Sequence, residues 1–274
     1  MNVLHLTDSP FFGGPERQML GLAVSLPAAI RTRILCFRDH ASSEPFLEQL
    51  ADAGVSSRSI SHTNPHFVRM VADVVGELRA TRADVLVCHG YKADVIGWLA
   101  ATIARVPVIS VSRGWTGHTW KVRLNERLDR FMLRLMRAVV CVSEGQAAKV
   151  RSAGVRPDRV HVIHNAIDAA RFDGTNRSGL AVLRGMFATP PEVMVVGVGR
   201  LSPEKGFDQL ITAMRSVVAA DRTVGLVLLG DGPMRVQLET QVRETGLASH
   251  IIFAGFRPDI DRLVQGADIL AQSS

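Results

Sequence analysis

Short runs of apolar, mostly β-branched residues recur along the chain and alternate with amphipathic stretches. Several of these runs contain no polar position, which is typical of parallel strands that are covered on both faces. The pattern predicts strands at Val3–Leu6, Arg33–Phe37, Val85–Cys88, Val108–Val111, Val139–Val142, Val160–Ile163, Val193–Val198, Val224–Leu229, Ile251–Phe253 and Ile269–Leu270. Apolar positions at helical spacing predict helices that include Glu16–Leu26, Pro65–Arg79, Lys121–Met136, Phe207–Val218 and Met234–Thr245.

The alternation of strands and helices favours right-handed βαβ units, and therefore an α/β fold with doubly wound parallel sheets. It is interrupted between Asp168 and Glu192, where DGTNRSG and TPPE supply turn and helix-breaking residues. We predict a Rossmann-like domain over 1–168, an interdomain linker over 169–190 and a second Rossmann-like domain over 191–274. Because only the last four predicted strands fall in the second domain, we expect that domain to be incomplete.

Composition places the chain among globular proteins, since 47% of its residues are hydrophobic and 21% are charged. The formal net charge of +6 and a sequence pI of about 9.9 suit phosphorylated substrates or an anionic membrane surface. Neither aromatic-basic interleaving nor zinc-ligand spacing is present, so we do not predict nucleic-acid binding.

The cysteines and the apolar runs indicate where in the cell the protein resides. Cys36, Cys88 and Cys141 lie in or beside predicted strands without a CxxC pair, which predicts buried reduced thiols and no metal site. The first residues lack the features of a signal peptide. The longest uncharged apolar run, Val95–Ala104, has about half the length of a membrane span. We expect a cytoplasmic protein that at most rests on the inner face of the membrane.

The segment Val195–Met214 carries the clearest chemical signal. An apolar strand leads into a loop with Arg200 and Lys205, and Gly206 precedes an amphipathic helix. This order places two cations at the carboxyl end of a strand and beside a helix amino terminus, where phosphorylated ligands bind in α/β sheets. Such cations stabilise a departing nucleoside diphosphate without a metal. The competing interpretation is an ordinary solvated loop.

Two further glycine turns follow predicted strands. Gly230-Asp231-Gly232 precedes Pro233, which suits the first position of a helix, and Gly255-Phe256 ends the next strand. Either turn could be a tight connection without a ligand. Together with the Arg200–Gly206 loop, they favour a single binding site at the carboxyl ends of these strands.

Near the amino terminus, Gly13-Gly14-Pro15-Glu16 joins a predicted strand to a helix, and small residues there let backbone amides approach a phosphate or sugar. The dinucleotide pattern GxGxxG is absent, which disfavours a dehydrogenase. His89 follows a strand, and His118 lies in the loop SRGWTGHT after another. Either histidine could orient a hydroxyl or act as a base, or could be purely structural.

The predicted helix over Lys121–Arg137 has a basic stripe. Its arginines recur at spacings of three and four residues and are Arg123, Arg127, Arg130, Arg134 and Arg137. An apolar row on a neighbouring face consists of Leu124, Leu128, Phe131 and Leu135. Such a helix could contact anionic lipid or a lipid-phosphate acceptor, and the alternative is a solvated cationic face relieved by Glu126 and Asp129.

Taken together, these motifs resemble those of the family 4 glycosyltransferases, which are retaining nucleotide-sugar enzymes of the GT-B fold. The resemblance extends over nearly the whole chain and rests on Gly13–Glu16, Val142–Glu144, Ile163–Asp168, Val198–Leu201, Glu204–Gly206, Leu229–Pro233 and Phe253–Gly255. It implies a transferase of hexosyl type, active in polysaccharide or glycolipid synthesis, that needs no metal or other cofactor besides its nucleotide-sugar substrate.

The resemblance also implies roles for individual residues. Arg200 and Lys205 would bind the donor diphosphate, and Gly14 would help to place the phosphate or the attacking hydroxyl. The turns at Gly230–Gly232 and Gly255–Phe256 would lie near the nucleoside. The remaining predicted substrate-binding residues belong to the acceptor side or to the motif after the sixth predicted strand, and are Gly13, Glu16, His89, Arg113 and Asn165.

The chain departs from the family pattern at several positions. Where many members have a His-Gly pair, it has Arg113-Gly114, and because Arg113 cannot act as a base, any such role passes to His118. Asn165-Ala166 replaces a more usual Asn-Gly pair. Members also continue into a motif of two glutamates, one of which holds the donor ribose. Since Ser274 precedes that motif, we expect weak activity or none from this chain alone.

The leading hypothesis is therefore a retaining glycosyltransferase with a nucleotide-sugar donor and a sugar or lipid-linked acceptor. A scaffold that binds its ligands without turnover is the first alternative. A nucleotide-sugar epimerase, which can share this fold, is the second.

Overall fold

A computed structural model describes residues 1–8, 12–37, 44–115, 120–169, 172 and 176–274, with the side chains of 120–123 left aside. The chain divides into two compact units, Met1–Ile167 (unit 1) and Asp168–Ser274 (unit 2). Each unit is built on its own parallel sheet with helices packed against it. The α/β class with two Rossmann-like sheets, predicted from the alternation of strands and helices, is confirmed.

Unit 1 contains a seven-stranded sheet in the order β3-β2-β1-β4-β5-β6-β7, and every neighbouring pair is parallel. Its strands are β1 (Asn2–Thr7), β2 (Arg31–Cys36), β3 (Ser56–Ser59), β4 (Val85–His89), β5 (Val108–Ser112), β6 (Ala138–Cys141) and β7 (Val160–Val162). The strand β3 was not predicted from the sequence. Its residues, SSRS, are polar because it pairs on one side only, at the edge of the sheet.

Six α-helices cover the described part of this sheet. They are α1 (Gly14–Ser25), α2 (Glu44–Asp52), α3 (Phe67–Ala80), α4 (Tyr91–Ala104), α5 (Trp120–Leu133) and α6 (Glu144–Ser152). The helix α4 contains the long apolar run noted above and packs against α3 and α5 as well as the sheet. An apolar run of this length therefore forms a core helix here. Among the described helices, none combines the length and apolarity needed to cross a bilayer.

Unit 2 contains a four-stranded parallel sheet in the order β10-β9-β8-β11. Its strands are β8 (Val193–Val198), β9 (Val224–Leu229), β10 (Ile251–Gly255) and β11 (Ile269–Ala271), and its helices are α7 (Ser178–Arg184), α8 (Phe207–Ala220), α9 (Arg235–Glu244) and α10 (Ile260–Gly266). The segment 169–190, predicted as a linker, includes α7. This helix packs against α10 so closely that a side chain on Gly179 would overlap the backbone of Arg262, which makes α7 part of unit 2.

The three cysteines lie in the core of unit 1, as free thiols within β2, β4 and β6. Burial, followed by the charges of Glu16 and Asp8, raises the pKa of Cys36 to about 12. Burial also raises the pKa of Cys88 well above its ordinary value. The prediction of buried, unpaired thiols is confirmed, and their high pKa values keep Cys36 and Cys88 unreactive.

Helix α4 approaches the sheet at Gly97. A methyl group at this position would overlap Sγ of Cys88 and would lie 3.2 Å from Cδ2 of Leu86 and 3.4 Å from Cδ2 of Leu6. These three side chains are almost fully buried. The absence of a side chain at Gly97 thus sets the distance between α4 and strands β1 and β4.

We expect Gly97→Ala to lower the free energy of unfolding of unit 1 by about 1–3 kcal/mol, because an overpacked core must shift to make room. Gly76→Ala is the matched control, since Gly76 lies inside α3 and an added methyl would meet no atom within 4 Å. That substitution should stabilise the unit by about 0.5–1 kcal/mol. Urea unfolding followed by tryptophan fluorescence reports on unit 1 alone, because Trp98, Trp115 and Trp120 all belong to it. Effects of the same sign would contradict the packing argument.

A pair of buried aspartates joins α4 to α5. Asp94 Oδ2 accepts a hydrogen bond from Ser110 Oγ at 2.9 Å, and Asp129 Oδ2 accepts one from Trp115 Nε1 at 2.8 Å. Burial, followed by the charge of Asp129 and a hydrogen bond with it, raises the pKa of Asp94 well above its ordinary value. Oδ1 of Asp94 receives no hydrogen bond from a described group that would stabilise an anion. A protonated Asp94 that donates to Asp129 satisfies all of these contacts.

Because the folded chain holds the Asp94 proton and the unfolded chain releases it, stability should fall as the pH rises above 3.8, the ordinary pKa, until the raised pKa is passed. A tenfold difference between the acid dissociation constants of the folded and unfolded states corresponds to about 1.4 kcal/mol. Asp94→Asn mimics the protonated carboxyl, so it should flatten this fall and stabilise unit 1 at pH 8. The same urea assay across pH 4–8 measures this, with the exposed Asp52→Asn on α2 as control. A steeper pH dependence in Asp94→Asn than in the parent protein would refute the protonated pair.

Candidate functional site

The loop between β8 and α8 in unit 2 presents the two predicted cations. It contains a short 3-10 turn at Pro203–Lys205 and ends at Gly206, whose φ of 61° lies in the left-handed region. The Arg200 side chain is exposed, and Lys205 is half-buried with its methylenes along the backbone of Gly199. Within the described part of the chain, neither cation forms an ion pair. The loop is therefore positively charged and open to an anion.

The loop after β9 packs directly against this cationic loop. Leu201 N donates to Asp231 O at 3.1 Å, and Met234 N donates to Leu201 O at 3.0 Å. Any side chain on Gly230 or Gly232 would overlap the backbone of Gly199 or Leu201, respectively. The two glycines are required because two backbones meet here, so the loops hold each other in position.

The third predicted turn, after β10, joins the same edge of the sheet. Gly230 N donates to Gly255 O at 2.8 Å, and Phe256 beyond it is 53% exposed. Asp231 Oδ1 accepts a hydrogen bond from Gly232 N at 2.7 Å. The structure therefore gathers Arg200, Lys205 and the predicted turn residues at the carboxyl ends of three neighbouring strands.

Two residues that the sequence reasoning missed support these loops. Arg235 Nη2 donates to Phe253 O at 3.4 Å, and its Nη1 lies 3.5 Å from Asp231 Oδ2. Ser273 Oγ donates to Lys205 O at 2.7 Å. Arg235 follows Asp231 by four residues, and a pair of opposite charges at this spacing is visible in the sequence. No local pattern points to Ser273.

In unit 1, His89 lies between two other side chains. His5 Nδ1 is 2.9 Å from His89 Nε2, and Arg113 Nη2 is 3.0 Å from His89 Nδ1. Since a guanidinium can only donate, Nδ1 of His89 accepts and its Nε2–H donates to Nδ1 of His5. His89 is buried and both its ring nitrogens are occupied, so this geometry does not leave it free to act as a base. His5, in the middle of β1, was not predicted, although a histidine inside an apolar run is a visible signal.

Burial keeps both histidines neutral. Desolvation, followed by the charge of Arg113, lowers the pKa of His5 to about 4. Desolvation, followed by His5 and Arg113, lowers the pKa of His89 well below its ordinary value. Arg113 is therefore the only cation of the three at neutral pH.

The predicted glycine turn of unit 1 begins α1. Glu16 is buried, and its Oε2 accepts a hydrogen bond from Gly13 N at 2.9 Å, which caps the helix. An added methyl at Gly14 would meet no atom within 4 Å. Asn165 is exposed on the loop after β7, and His118 lies outside the described residues. The roles predicted for these residues stay predictions.

A cavity of about 660 Å³ opens in unit 1 beside the first turn of α4. Aliphatic side chains such as Met70, Val95 and Ile96 line it together with polar and aromatic ones, which include Asp8, Asn64, Phe67, Tyr91, Lys92 and Asn125. None of these was predicted as a site residue, because they come from separate loops and helices that only the fold brings together. The lining offers hydrogen-bonding groups and exposed rings, as carbohydrate sites do.

An apolar row on helix α5 and the residues after it is exposed to solvent. Leu124, Leu128, Phe131 and Leu135 are 58%, 47%, 53% and 38% exposed. Arg127 and Arg134 are exposed among them. Arg130 is partly engaged, with its guanidinium 4.7 Å from the centroid of the Trp115 ring and 3.8 Å from Glu126. The basic stripe is therefore interleaved with exposed apolar side chains.

No cluster of three or more His, Cys, Asp or Glu side chains that could hold a metal ion occurs within the described ranges. The candidate site of unit 2 presents cationic side chains and backbone amides instead. Groups of this kind bind phosphates.

Comparison with known proteins extends these observations. EpsF of Bacillus subtilis (strain 168), whose name assigns it provisionally to the glycosyltransferases, is 26% identical over 99% of this chain and 73% of its own length. The crystal structure of Anabaena HepE in complex with UDP-glucose aligns with a TM-score of 0.84 and 25% identity, over 100% of this chain and 74% of that one. UDP-GlcNAc 2-epimerase from Neisseria meningitidis, at 14% identity, a TM-score of 0.67 and 98% and 76% coverage, shares the fold alone.

Family models match both units. Residues 188–274 match the glycosyl transferases group 1 model, which covers the cationic loop and the two glycine turns. Residues 13–166 match the glycosyl transferase 4-like domain, which amounts to more than half of the chain. The protein therefore belongs to the glycosyltransferases of the GT-B fold that carry a glycosyl transferase 4-like domain.

Proposed function

We propose that the protein transfers a sugar from a nucleotide-sugar donor to an acceptor hydroxyl, with retention of the anomeric configuration. The observation that carries this proposal is the β8–α8 loop, where Arg200 and Lys205 lack an ion-pair partner among the described residues. The bond between the anomeric carbon and the diphosphate oxygen breaks as a bond to the acceptor oxygen forms, and the proton of the acceptor hydroxyl passes to the departing diphosphate. The negative charge that develops on the diphosphate is then stabilised by the two cations.

The remaining groups of unit 2 fit the rest of a donor. The amides at the start of α8 add their partial positive charge to the diphosphate site. The exposed ring of Phe256 and the turns at Gly230–Gly232 and Gly255 suit a nucleoside. The complexes of HepE with UDP and UDP-glucose support a donor of this class. We assign no cofactor, and the donor enters as a substrate.

Unit 1 would bind the acceptor. Its cavity beside α4 suits a sugar ring, since Tyr91 and Phe67 are partly exposed there and Asn64 and Asn125 offer amide groups. Gly13, Gly14, Glu16, Arg113 and Asn165 remain proposed contacts, together with His118 as a proposed catalytic residue. His89 would act indirectly, because its ring is enclosed.

The outward face of α5 suits an acceptor that resides in a membrane. Apolar side chains and arginines interleaved on one face match the boundary between acyl chains and anionic headgroups. We propose that the row Leu124, Leu128, Phe131 and Leu135 rests on an anionic membrane surface.

Two alternatives share this donor site: a scaffold that binds without turnover, and a nucleotide-sugar epimerase. Binding, which does not require turnover, therefore tests the site first. Product analysis with a donor panel then separates transfer from epimerisation.

We expect Lys205→Ala and Arg200→Ala each to weaken UDP binding by about 10- to 100-fold, because each removes a charge-assisted hydrogen bond of about 1.5–3 kcal/mol. Arg222→Ala is the matched control, since Arg222 is exposed before β9, at the opposite edge of the same sheet. Isothermal titration calorimetry measures the three dissociation constants. Unchanged UDP affinity in Lys205→Ala, with folding intact by circular dichroism, would refute the donor assignment.

For the membrane surface, we expect binding to phosphatidylglycerol-containing vesicles and little binding to pure phosphatidylcholine. Arg127→Ala should weaken the binding about fivefold, since one basic residue near such a surface contributes about 1 kcal/mol. Phe131→Ser should weaken it as well, by removing buried apolar area. Vesicle co-sedimentation measures these changes, with the exposed Arg243→Ala on α9 as control. Equal binding to both vesicle types would rule the surface out.

A further inference from the structure

In unit 1 the guanidinium of Arg113 donates to His89, which in turn donates to His5, and Arg113 forms no ion pair with a described residue. We propose that Arg113 binds an oxyanion of the substrate, a carboxylate or phosphate carried by a sugar, and that His89 and His5 are its positioning residues. This inference rests on the proposed glycosyl transfer and names the substrate class: an anionic sugar.

A hydrogen bond to His89 holds one edge of the guanidinium. Arg113 Nη2 donates to His89 Nδ1 at 3.0 Å, and His89 in turn donates to His5 Nδ1 at 2.9 Å. The two imidazole planes lie within 19° of each other and the ring centroids are 5.2 Å apart, as expected for rings joined edge to edge by an N–H···N hydrogen bond. His5 and His89 are buried in the neighbouring strands β1 and β4, so the sheet fixes their positions. The hydrogen bond from Arg113 to His89 then positions the guanidinium.

The positive charge of Arg113 is compensated only in part, by Glu16 acting through space, and Arg113 forms no ion pair with a described residue. The histidines are neutral and supply only an acceptor nitrogen. Arg113 Nε is buried and has no hydrogen-bond partner among the described residues. Glu16 acts on Arg113 only through space, and its carboxylate is engaged by Gly13 N. A buried donor without a partner costs free energy, and a bound oxyanion would remove that cost.

The geometry selects an oxyanion over a neutral hydroxyl. The guanidinium is a planar fork of donors that matches carboxylate and phosphate, and it is the side chain best suited to pair with them in partly buried places. The next residue, Gly114, has a φ of 130°, a conformation that other residues rarely adopt, and a methyl there would have no neighbour closer than 3.9 Å. The residue that follows Arg113 therefore adds no side chain next to it.

The first experiment compares charged and neutral sugars of the same shape by saturation-transfer NMR and calorimetry. Methyl glucuronide and glucose 6-phosphate, each against methyl glucoside, probe an anion on the acceptor. We expect at least a tenfold preference for the charged ligand in one of these arms, and the arm identifies the source.

Arg113→Gln should abolish that preference, whereas Arg69→Gln, at an exposed position on α3, should keep it. No preference in any arm, or a preference that survives in Arg113→Gln, would overturn the proposal. Lys205→Ala distinguishes failure of the proposed donor site from failure of the anionic-sugar proposal. If it loses UDP binding while Arg113→Gln changes nothing, the donor site stands and the anionic-sugar assignment fails.

The positioning role is tested on His89 itself. His89→Asn keeps an acceptor near Nδ1 and should retain the preference, while His89→Leu should lose it, with UDP affinity unchanged in both. Long-range ¹H–¹⁵N spectra of the unsubstituted protein provide a test that needs no variant. They should show His89 with Nε2 protonated and Nδ1 unprotonated at pH 7, and a proton on Nδ1 would refute the arrangement.

Discussion

Parallel pairing of neighbouring strands is the constraint on which the candidate site depends. In a parallel sheet the carboxyl ends of all strands lie on the same side, so the loops that follow them meet there even when they are far apart in sequence. Pairing of β8 with β9 aligns Val198 with Leu229, and the Gly199 and Gly230 turns that follow are brought into contact. In unit 1 the pairing of β1 with β4 places Thr7 opposite His89, two residues beyond His5. The chemistry of each unit follows from these registers.

Desolvation decides which of the gathered groups carry charge. His5 and His89 lose their protons and Asp94 keeps its proton, because burial disfavours the charged form of each. In contrast, Arg113 retains a positive charge close to the neutral histidines. In unit 2, Arg200 is exposed and Lys205 is half-buried at the surface. In unit 1 the neutral pair His5 and His89 therefore positions the cationic Arg113. In unit 2 the cations of the candidate site lie on a loop.

The elements that the sequence predicted are those whose signal is local. The strands of unit 2 and the glycine turns after them were found because apolar runs and glycines report burial and close backbone approach directly. The polar strand β3 was missed, since an edge strand beside solvent needs no apolar run. The helix α7 was interpreted as part of a linker, because DGTNRSG and TPPE flank it and its seven residues are too few to show helical periodicity.

By itself, the sequence determined the α/β class, the two sheets, and the loop that carries Arg200 and Lys205, because strand periodicity and turn residues are properties of short segments. Only the tertiary structure decided that His89 is enclosed between His5 and Arg113, that Asp94 faces Asp129, and that four separate segments line one cavity in unit 1. Those arrangements depend on contacts between residues up to 84 positions apart, and on burial, which no local pattern specifies.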